Sequence, residues 1–337
     1  MNKRMGQTLT LERPVSFIAY SSVTGPMEGE GPLGHLFDRV IADDLWGEES
    51  WEKAETKLFF EAVRLAVQKA ELDIGDVDFL LGGDLLNQLI ASCFAARQMD
   101  LPFIGLYGAC STMAEALCVG AMLIDGGFAD KAACCASSHF STAERQFRMP
   151  LELGCQKPPT AQRTVTGAGA SIIGARGEGP YITKLTMGKV VDYGIRDANN
   201  MGAAMAPAAA DTIFAHLTDS KTEPEALDAI ITGDLGLFGL EVVNELLQKR
   251  GMNCERVLRD CGAEMYFSGQ DTHMGGSGCG CSAVTLSGRL IPELKKGKLK
   301  KILFVAIGAL LSQISSMQGE SIPAIAHGVR IERSCEG

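Results

Sequence analysis

The chain has 337 residues, of which 46% are hydrophobic, and a formal net charge of −10. This acidic balance argues against binding to a nucleic-acid backbone, which needs a basic surface. Eleven irregularly spaced cysteines and the lack of a signal peptide predict a reduced, intracellular setting. No apolar run reaches the ~18 residues of a membrane-spanning helix. Any membrane association is therefore expected to be peripheral.

The first half of the chain alternates predicted strands and helices. Residues 15–22 are apolar enough for a buried strand, and apolar residues at helical spacing over Trp51–Ala70 predict an amphipathic helix. Strands are then predicted in Val77–Leu85 and Pro102–Tyr107, before a long apolar helix over 113–124. Such alternation is typical of an α/β protein with a mostly parallel sheet.

The second half repeats this pattern. Four kinds of segment recur in the same order: a helix (Trp51–Ala70 and Ala208–Leu217), a strand ending in Gly-Asp-Leu (Val77–Leu85 and Leu227–Leu235), a Gly/Cys/Ser turn (Gly108–Thr112 and Gly276–Ser282) and an apolar strand (Lys131–Ser138 and Lys301–Leu311). The repetition predicts a duplicated βαβαβ unit, with an N-terminal half over 1–175 and a C-terminal half over 176–337.

Three further segments complete the predicted elements. Residues 137–148 and the region around Lys157 show no clean period and predict an irregular excursion over the end of the sheet. Strands are expected in 164–174 and 181–191. The Ala/Met-rich run Met201–Ala210 predicts the start of a helix that packs against a partner or a second subunit.

Cys110 is the most informative single residue. It lies in Gly108–Thr112, between a predicted strand and the long apolar helix. The free N–H groups and the positive dipole end of a helix lower a thiol pKa and bind carboxylate or acyl oxygens. The position therefore predicts either a nucleophile or part of an anion pocket.

A Gly-Ala-Cys-Ser turn inside a duplicated βαβαβ arrangement resembles the thiolase superfamily, especially β-ketoacyl-acyl-carrier-protein synthase III. The resemblance implies a thiolase-like fold with α/β/α/β/α layers. It also implies a homodimer formed by strand addition across a central sheet.

A more specific resemblance is to the stage V sporulation protein AD family. Six segments carry it, in this order: Gly31–Asp38, Gly82–Gln88, 137–148, Met201–Ile213, Gly275–Val284 and Glu320–Val329. The resemblance implies a role in spore formation and binding of dipicolinic acid (pyridine-2,6-dicarboxylate) during its uptake by the forespore. It further implies links to spore germination and transport, other stage V sporulation protein A membrane subunits as partners, and a peripheral location at the inner spore membrane.

Condensing enzymes of the thiolase type pair their cysteine with a His and an Asn from the second half. Here Asp234 stands where the His is expected, and the turn expected to hold the Asn offers Ser277. An ionised carboxylate cannot donate a hydrogen bond to an oxyanion and would repel it. The resemblance thus predicts a pseudoenzyme that needs no cofactor.

We expect the ligand site to form around Cys110, Asp234 and Ser277. The thiol and the helix end would contact one carboxylate of the ligand, which arrives free or as its calcium chelate. His139, Arg145 or Arg148 would contact the other, since guanidinium groups bind carboxylates bidentately.

Other interpretations remain open at this point. His139 or His273 would activate Cys110 in an acyltransferase acting on acyl-CoA or acyl-carrier protein. Each His is equally compatible with a structural role, and Arg145 and Arg148 with capping a loop or pairing with Glu144 or Glu152. Lys157 is a third candidate cation for the ligand. A scaffold that uses Met201–Ala210 and the apolar C-terminal segment as contact surfaces is a third possibility. Cys279 and Cys281 lack the second ligand pair of a zinc site, so we expect no metal.

Overall fold

The computed structural model describes residues 3–147 and 157–334. The strands are β1 (Arg4–Met5), β2 (Thr8–Thr24), β3 (Arg39–Val40), β4 (Phe79–Gly83), β5 (Phe103–Gly105), β6 (Lys131–Ser138), β7 (Arg163–Thr164), β8 (Gly167–Gly174), β9 (Tyr181–Thr186), β10 (Ala229–Thr232), β11 (Leu258–Asp260), β12 (Gly276–Ser277), β13 (Lys301–Ala309) and β14 (Ala324–Glu332). The helices are α1 (Pro26–Gly29), α2 (Trp51–Lys69), α3 (Ile90–Met99), α4 (Thr112–Asp125), α5 (Phe140–Phe147), α6 (Met201–Asp219), α7 (Gly236–Lys249), α8 (Cys279–Thr285), α9 (Ile291–Lys295) and α10 (Gln313–Met317).

The strand order confirms the predicted duplication. The main path runs β11-β10-β13-β14-β9-β2-β8-β6-β4-β5, so each half contributes five strands in the same relative order. In both halves the last strand in sequence, β8 or β14, is antiparallel to both neighbours, while the other pairings along this path within each half are parallel. The halves meet where β2 pairs antiparallel with β9.

The two halves of this path are called here the first sheet (β2-β8-β6-β4-β5) and the second sheet (β9-β14-β13-β10-β11). Two helices lie between them, and others cover their outer faces. Helix α4 packs on β4 and β6 of its own half and also on β13 and β14. Helix α8 packs on β6 and β8, in the half opposite to its own. Helices α2 and α3 cover the first sheet, and α6 and α7 cover the second. The arrangement is the thiolase-like α/β/α/β/α layering.

The composition of α4 explains its central position. Met113, Leu117 and Ala121 have no exposed surface, and a Cβ at Gly120 would lie 3.0 Å from the Ile173 side chain. A helix that is apolar on all sides is stable only when it is covered on all sides. By contrast, α2 buries one face, and Ser50 caps its first turn by accepting from the N–H of Lys53.

Two sequence-based predictions are wrong. The irregular excursion contains α5, an eight-residue helix that buries polar Thr142 and Glu144, so no apolar period marks it. The run Met201–Ala210 begins α6, whose buried residues, among them Met205 and Ala209, pack within the C-terminal half. The run therefore packs inside its own half.

Candidate functional site

Cys110 occupies a tight turn at the start of α4, as predicted. Ala109 has a φ of +50°, and the Ser111 and Thr112 hydroxyls donate back to the carbonyls of Gly108 and Ala109, each at 2.7 Å. A Cβ at Gly308 on β13 would lie 2.0 Å from the Gly108 carbonyl oxygen. Only glycine allows this close approach, so a C-terminal strand supports the turn that carries the thiol.

Asp234 and Ser277 lie beside Cys110, as the sequence predicted. Asp234 follows β10 and is fully buried. Its Oδ2 accepts hydrogen bonds from the Gly278 N–H at 2.9 Å and from the Ser277 hydroxyl at 3.3 Å. The Cys110 thiol lies close enough to the same carboxyl group to stabilise its ionised form.

Burial decides the protonation states here. Loss of solvation raises the pKa of Asp234 to about 7, and the charge of Asp260 adds to the rise. Burial also raises the pKa of the Cys110 thiol well above its ordinary value, and the Asp234 carboxyl raises it further. Desolvation and a neighbouring acid outweigh the helix N-terminus, so the thiol pKa is raised and not lowered as the sequence predicted.

Two buried side chains hold these loops, and sequence reasoning missed both. Asp260 accepts from the N–H groups of Leu235, Gly236 and Ala263 at 2.8–2.9 Å and from a threonine hydroxyl at 2.7 Å. The Gln162 amide donates to the carbonyl of Asp234 at 2.8 Å and to that of Gly276 at 2.7 Å. Neither residue lies in a recognisable motif, since their partners come from distant segments.

A small cavity lies against Cys110. Its volume is ≈ 50 Å³, and it is lined by Leu85, Ala109, Cys110, Ala143, Phe147, Thr164, Met201, Met205, Ser277, Ala309 and Leu311. None of these described residues is a His, an Asn or a cation. The inner cavity is thus an apolar slot with a thiol and two hydroxyls on its wall.

An outer cavity of ≈ 410 Å³ adjoins the inner one. It shares Leu85, Ala109, Phe147, Ala309 and Leu311 with it, and adds Asn87, Tyr107, Gln146, Leu310, Ser312, Gln313 and Ile314. Gln146 and Tyr107 both donate to the Leu85 carbonyl, at 2.9 and 3.4 Å. Amide and hydroxyl groups therefore surround the outer space, whereas carbon atoms dominate the inner one.

The two candidate histidines do not line either cavity. His139 is buried, its Nδ1 accepts from the Ser141 N–H at 3.2 Å, and its Nε2 donates to the Asp44 carbonyl at 2.8 Å. Burial lowers the pKa of His139, which favours the neutral ring that these bonds require. His273 is exposed on the surface. His139 thus supports the start of α5.

The cations predicted to contact the ligand either pair with other residues or lie outside the residues that the structure describes. Arg145 is exposed on α5 and forms an ion pair with Glu52, and Lys157 pairs with Glu144 at 2.9 Å. Neither lines the cavities. Arg148 lies outside the residues that the structure describes. The structure thus brings Cys110 together with Asp234 and Ser277 of the C-terminal half. It does not bring His139 or Arg145 to them.

Within 3–147 and 157–334, no group of three or more His, Cys, Asp or Glu side chains is arranged to hold a metal ion. Cys279 and Cys281 are buried at the start of α8, where the Cys279 thiol donates to the Ser137 carbonyl at 2.8 Å. In the same described ranges, no helix has both the length and the apolar character needed to cross a membrane.

Comparison with known proteins assigns the family. The sequence pattern described as "Stage V sporulation protein AD (SpoVAD)" matches residues 5–332. The chain belongs to the stage V sporulation protein AD family. It is 45% identical over 328 residues to stage V sporulation protein AD of Bacillus subtilis (strain 168), covering 97% of each chain. The sporulation family that the sequence indicated is therefore confirmed.

Solved structures confirm the fold. The chain is similar to 3-oxoacyl-[acyl-carrier-protein] synthase III from Aquifex aeolicus VF5, with a TM-score of 0.60, 14% identity, and coverage of 94% of this chain and 99% of that one. Human mitochondrial 3-ketoacyl-CoA thiolase, solved in complex with CoA, gives a TM-score of 0.60 at 12% identity, with coverage of 96% and 99%. Identities this low show the thiolase-like fold alone.

The raised pKa predicts an unreactive Cys110. At about pH 8, we expect iodoacetamide to alkylate Cys110 in the folded protein at least about tenfold more slowly than in the unfolded chain, because only the thiolate reacts. Asp234→Asn removes the acid that raises the thiol pKa and should speed the reaction. Peptide mass spectrometry measures both rates, with the exposed Cys93 as internal control. Equal rates in folded and unfolded chains would contradict this account.

Proposed function

We propose that this sporulation protein binds dipicolinic acid in the cavity at the start of α4 and does not catalyse acyl condensation. Membership of the stage V sporulation protein AD family supports the ligand, as does the resemblance of the six sequence segments. The observation that carries the non-catalytic part is the surroundings of Cys110, where Asp234 and Ser277 are its polar neighbours.

The chemistry around Cys110 opposes nucleophilic attack. A nucleophilic thiol needs a base or a positive neighbour to form the thiolate. Asp234 is an acid whose charge disfavours thiolate formation, and burial acts in the same direction. An oxyanion also needs fixed hydrogen-bond donors. The Gly278 N–H and the Ser277 hydroxyl already donate to Asp234.

The same surroundings suit a small aromatic acid. A flat pyridine ring is matched by the apolar side chains of Leu85, Phe147 and Met205. The Ser277 and Thr164 hydroxyls on the inner wall would face one carboxylate. The amide and hydroxyl groups of the outer cavity, such as Gln146, would face the other.

The charge of the ligand decides whether it binds more readily as the free dianion or as its calcium chelate. None of the described residues that line the two cavities is a cation. Burying a dianion without a counter-charge is costly. A calcium chelate carries a smaller net charge and lowers this cost. We therefore propose that calcium strengthens binding, with the metal treated as part of the ligand.

Titration of the purified protein with dipicolinate, with and without calcium, tests the ligand. We expect saturable binding at micromolar ligand, and at least about tenfold weaker binding in Met205→Trp, whose larger side chain fills the inner cavity at an overpacking cost of about 1–3 kcal/mol. Met317→Trp makes the same change on α10, at a methionine that is 85% exposed, and should bind normally. Circular dichroism checks that both variants fold. Failure to saturate in the wild type, or normal binding by Met205→Trp, would contradict the proposal.

Incubation with acyl-CoA or acyl-carrier protein tests the rival acyltransferase. We expect the intact mass to stay unchanged, because a thiol of raised pKa next to an acid does not attack a thioester. A parallel incubation of a condensing enzyme with a reactive cysteine shows that the donor is competent. An acyl adduct that disappears in Cys110→Ala would reverse the assignment.

We propose further that the protein acts as a homodimer at the inner spore membrane and passes its ligand to other stage V sporulation protein A subunits. The family supports the membrane partners, and the thiolase-like fold supports the dimer. Strand β5 ends the sheet, so one of its edges is open to strand addition within the described chain. Light scattering should give twice the 35.8 kDa of one chain. A monomeric mass at micromolar concentration would overturn the dimer.

A further inference from the structure

The two hydrogen-bonding groups at the bottom of the inner cavity share one buried partner. Ser277 and Cys110 both line the cavity, and both interact with the buried Asp234. The Ser277 hydroxyl hydrogen-bonds to it at 3.3 Å, and the Cys110 thiol is a close polar neighbour that stabilises the ionised carboxyl. Oδ2 of Asp234 accepts from the Ser277 hydroxyl and from the Gly278 N–H. Oδ1 has no nitrogen or oxygen partner among the described residues.

The ionised form of Asp234 gives the cavity the wrong polarity for a carboxylate. An ionised carboxylate only accepts hydrogen bonds. The hydroxyl and thiol hydrogens then point to Asp234, and their lone pairs face the cavity. A carboxylate in the cavity would meet these lone pairs, with a second negative charge behind them. Like charges at such short range in a buried site repel strongly.

A proton on Asp234 reverses this polarity. Oδ1 is free to receive the proton, because Oδ2 already accepts from Gly278. A neutral carboxyl is a weaker acceptor than a carboxylate, by about a factor of two in hydrogen-bond strength. The Ser277 hydroxyl and the Cys110 thiol are then drawn to the ligand, which offers the stronger, charged acceptor.

We propose that the inner cavity binds a carboxylate ligand together with one proton, which goes to Asp234 and releases the Ser277 hydroxyl and the Cys110 thiol to donate to that ligand. Asp234 is thus a positioning residue for the two donors. The inference rests on the proposed function for the identity of the ligand, but it concerns how the site accepts the charge.

The groups around Asp234 support proton uptake. Cys110 at the start of α4, Cys279 and Cys281 on α8, and Asp260 at the end of β11 interact electrostatically with it. All four are acids, so none supplies a positive charge to hold Asp234 ionised when an anion enters. The pKa of Asp234 is about 7 without ligand, so a small further rise on binding of an anion protonates the group at neutral pH.

Calorimetry of calcium-free dipicolinate binding counts the protons. At about pH 8, the observed enthalpy in buffers of different ionisation enthalpy should correspond to uptake of nearly one proton. Near pH 5.5 uptake should approach zero, since Asp234 is then already protonated. Between these limits affinity should fall by up to about tenfold per pH unit as pH rises above about 7.

Two variants assign the proton. Asp234→Asn keeps the acceptor for Gly278 and cannot titrate, so its uptake should vanish and its affinity should no longer depend on pH. Glu241→Gln removes an exposed carboxylate from α7 and should behave as the wild type. Binding with no proton uptake, or undiminished uptake in Asp234→Asn, would overturn this inference and leave ligand binding intact. If Asp234→Asn does not bind, the wild-type proton count decides. A wild type that binds nothing at any pH would overturn the proposed function itself.

Discussion

The site depends on the buried carboxyl group of Asp234, which joins three separate parts of the chain. It follows β10, accepts from the Gly278 turn, and contacts the thiol at the start of α4. Burying a carboxylate is costly unless hydrogen bonds compensate. The two donors to Oδ2 and the thiol supply part of that compensation. The remaining cost appears as a pKa raised to about 7, so the group stays poised between its two protonation states.

The thiolase-like architecture makes this meeting possible. The N-termini of α4 and α8 come from different halves, yet both lie in the layer between the sheets. Duplicated halves bring the turn at the start of one central helix close to the strand end of the opposite half. In condensing enzymes, the resemblance implies, this meeting point holds a reactive thiol with a His and an Asn. Here Asp234 and Ser277 occupy this location beside the thiol.

The fold could largely be predicted from the sequence, because its signals are local. Helix α2 and strand β6 lie almost where the apolar spacing put them, and the repeated Gly-Asp-Leu segments end equivalent strands. Helix α5 could not be predicted, since it buries hydroxyl and carboxyl groups that bond to distant residues such as Glu55. The prediction that Met201–Ala210 packs against a partner failed for a similar reason. An apolar run shows that a segment is buried, but not what covers it.

The sequence by itself determined the duplicated α/β unit and the family, and it indicated that Cys110, Asp234 and Ser277 lie together. Each of these inferences is carried by a short run of neighbouring residues. Only the tertiary structure decided that burial raises the pKa of the Cys110 thiol, that His139 supports a helix, and that Arg145 pairs with Glu52 on the surface. Protonation and hydrogen-bond partners depend on burial and on groups far apart in the chain, and no local pattern records these.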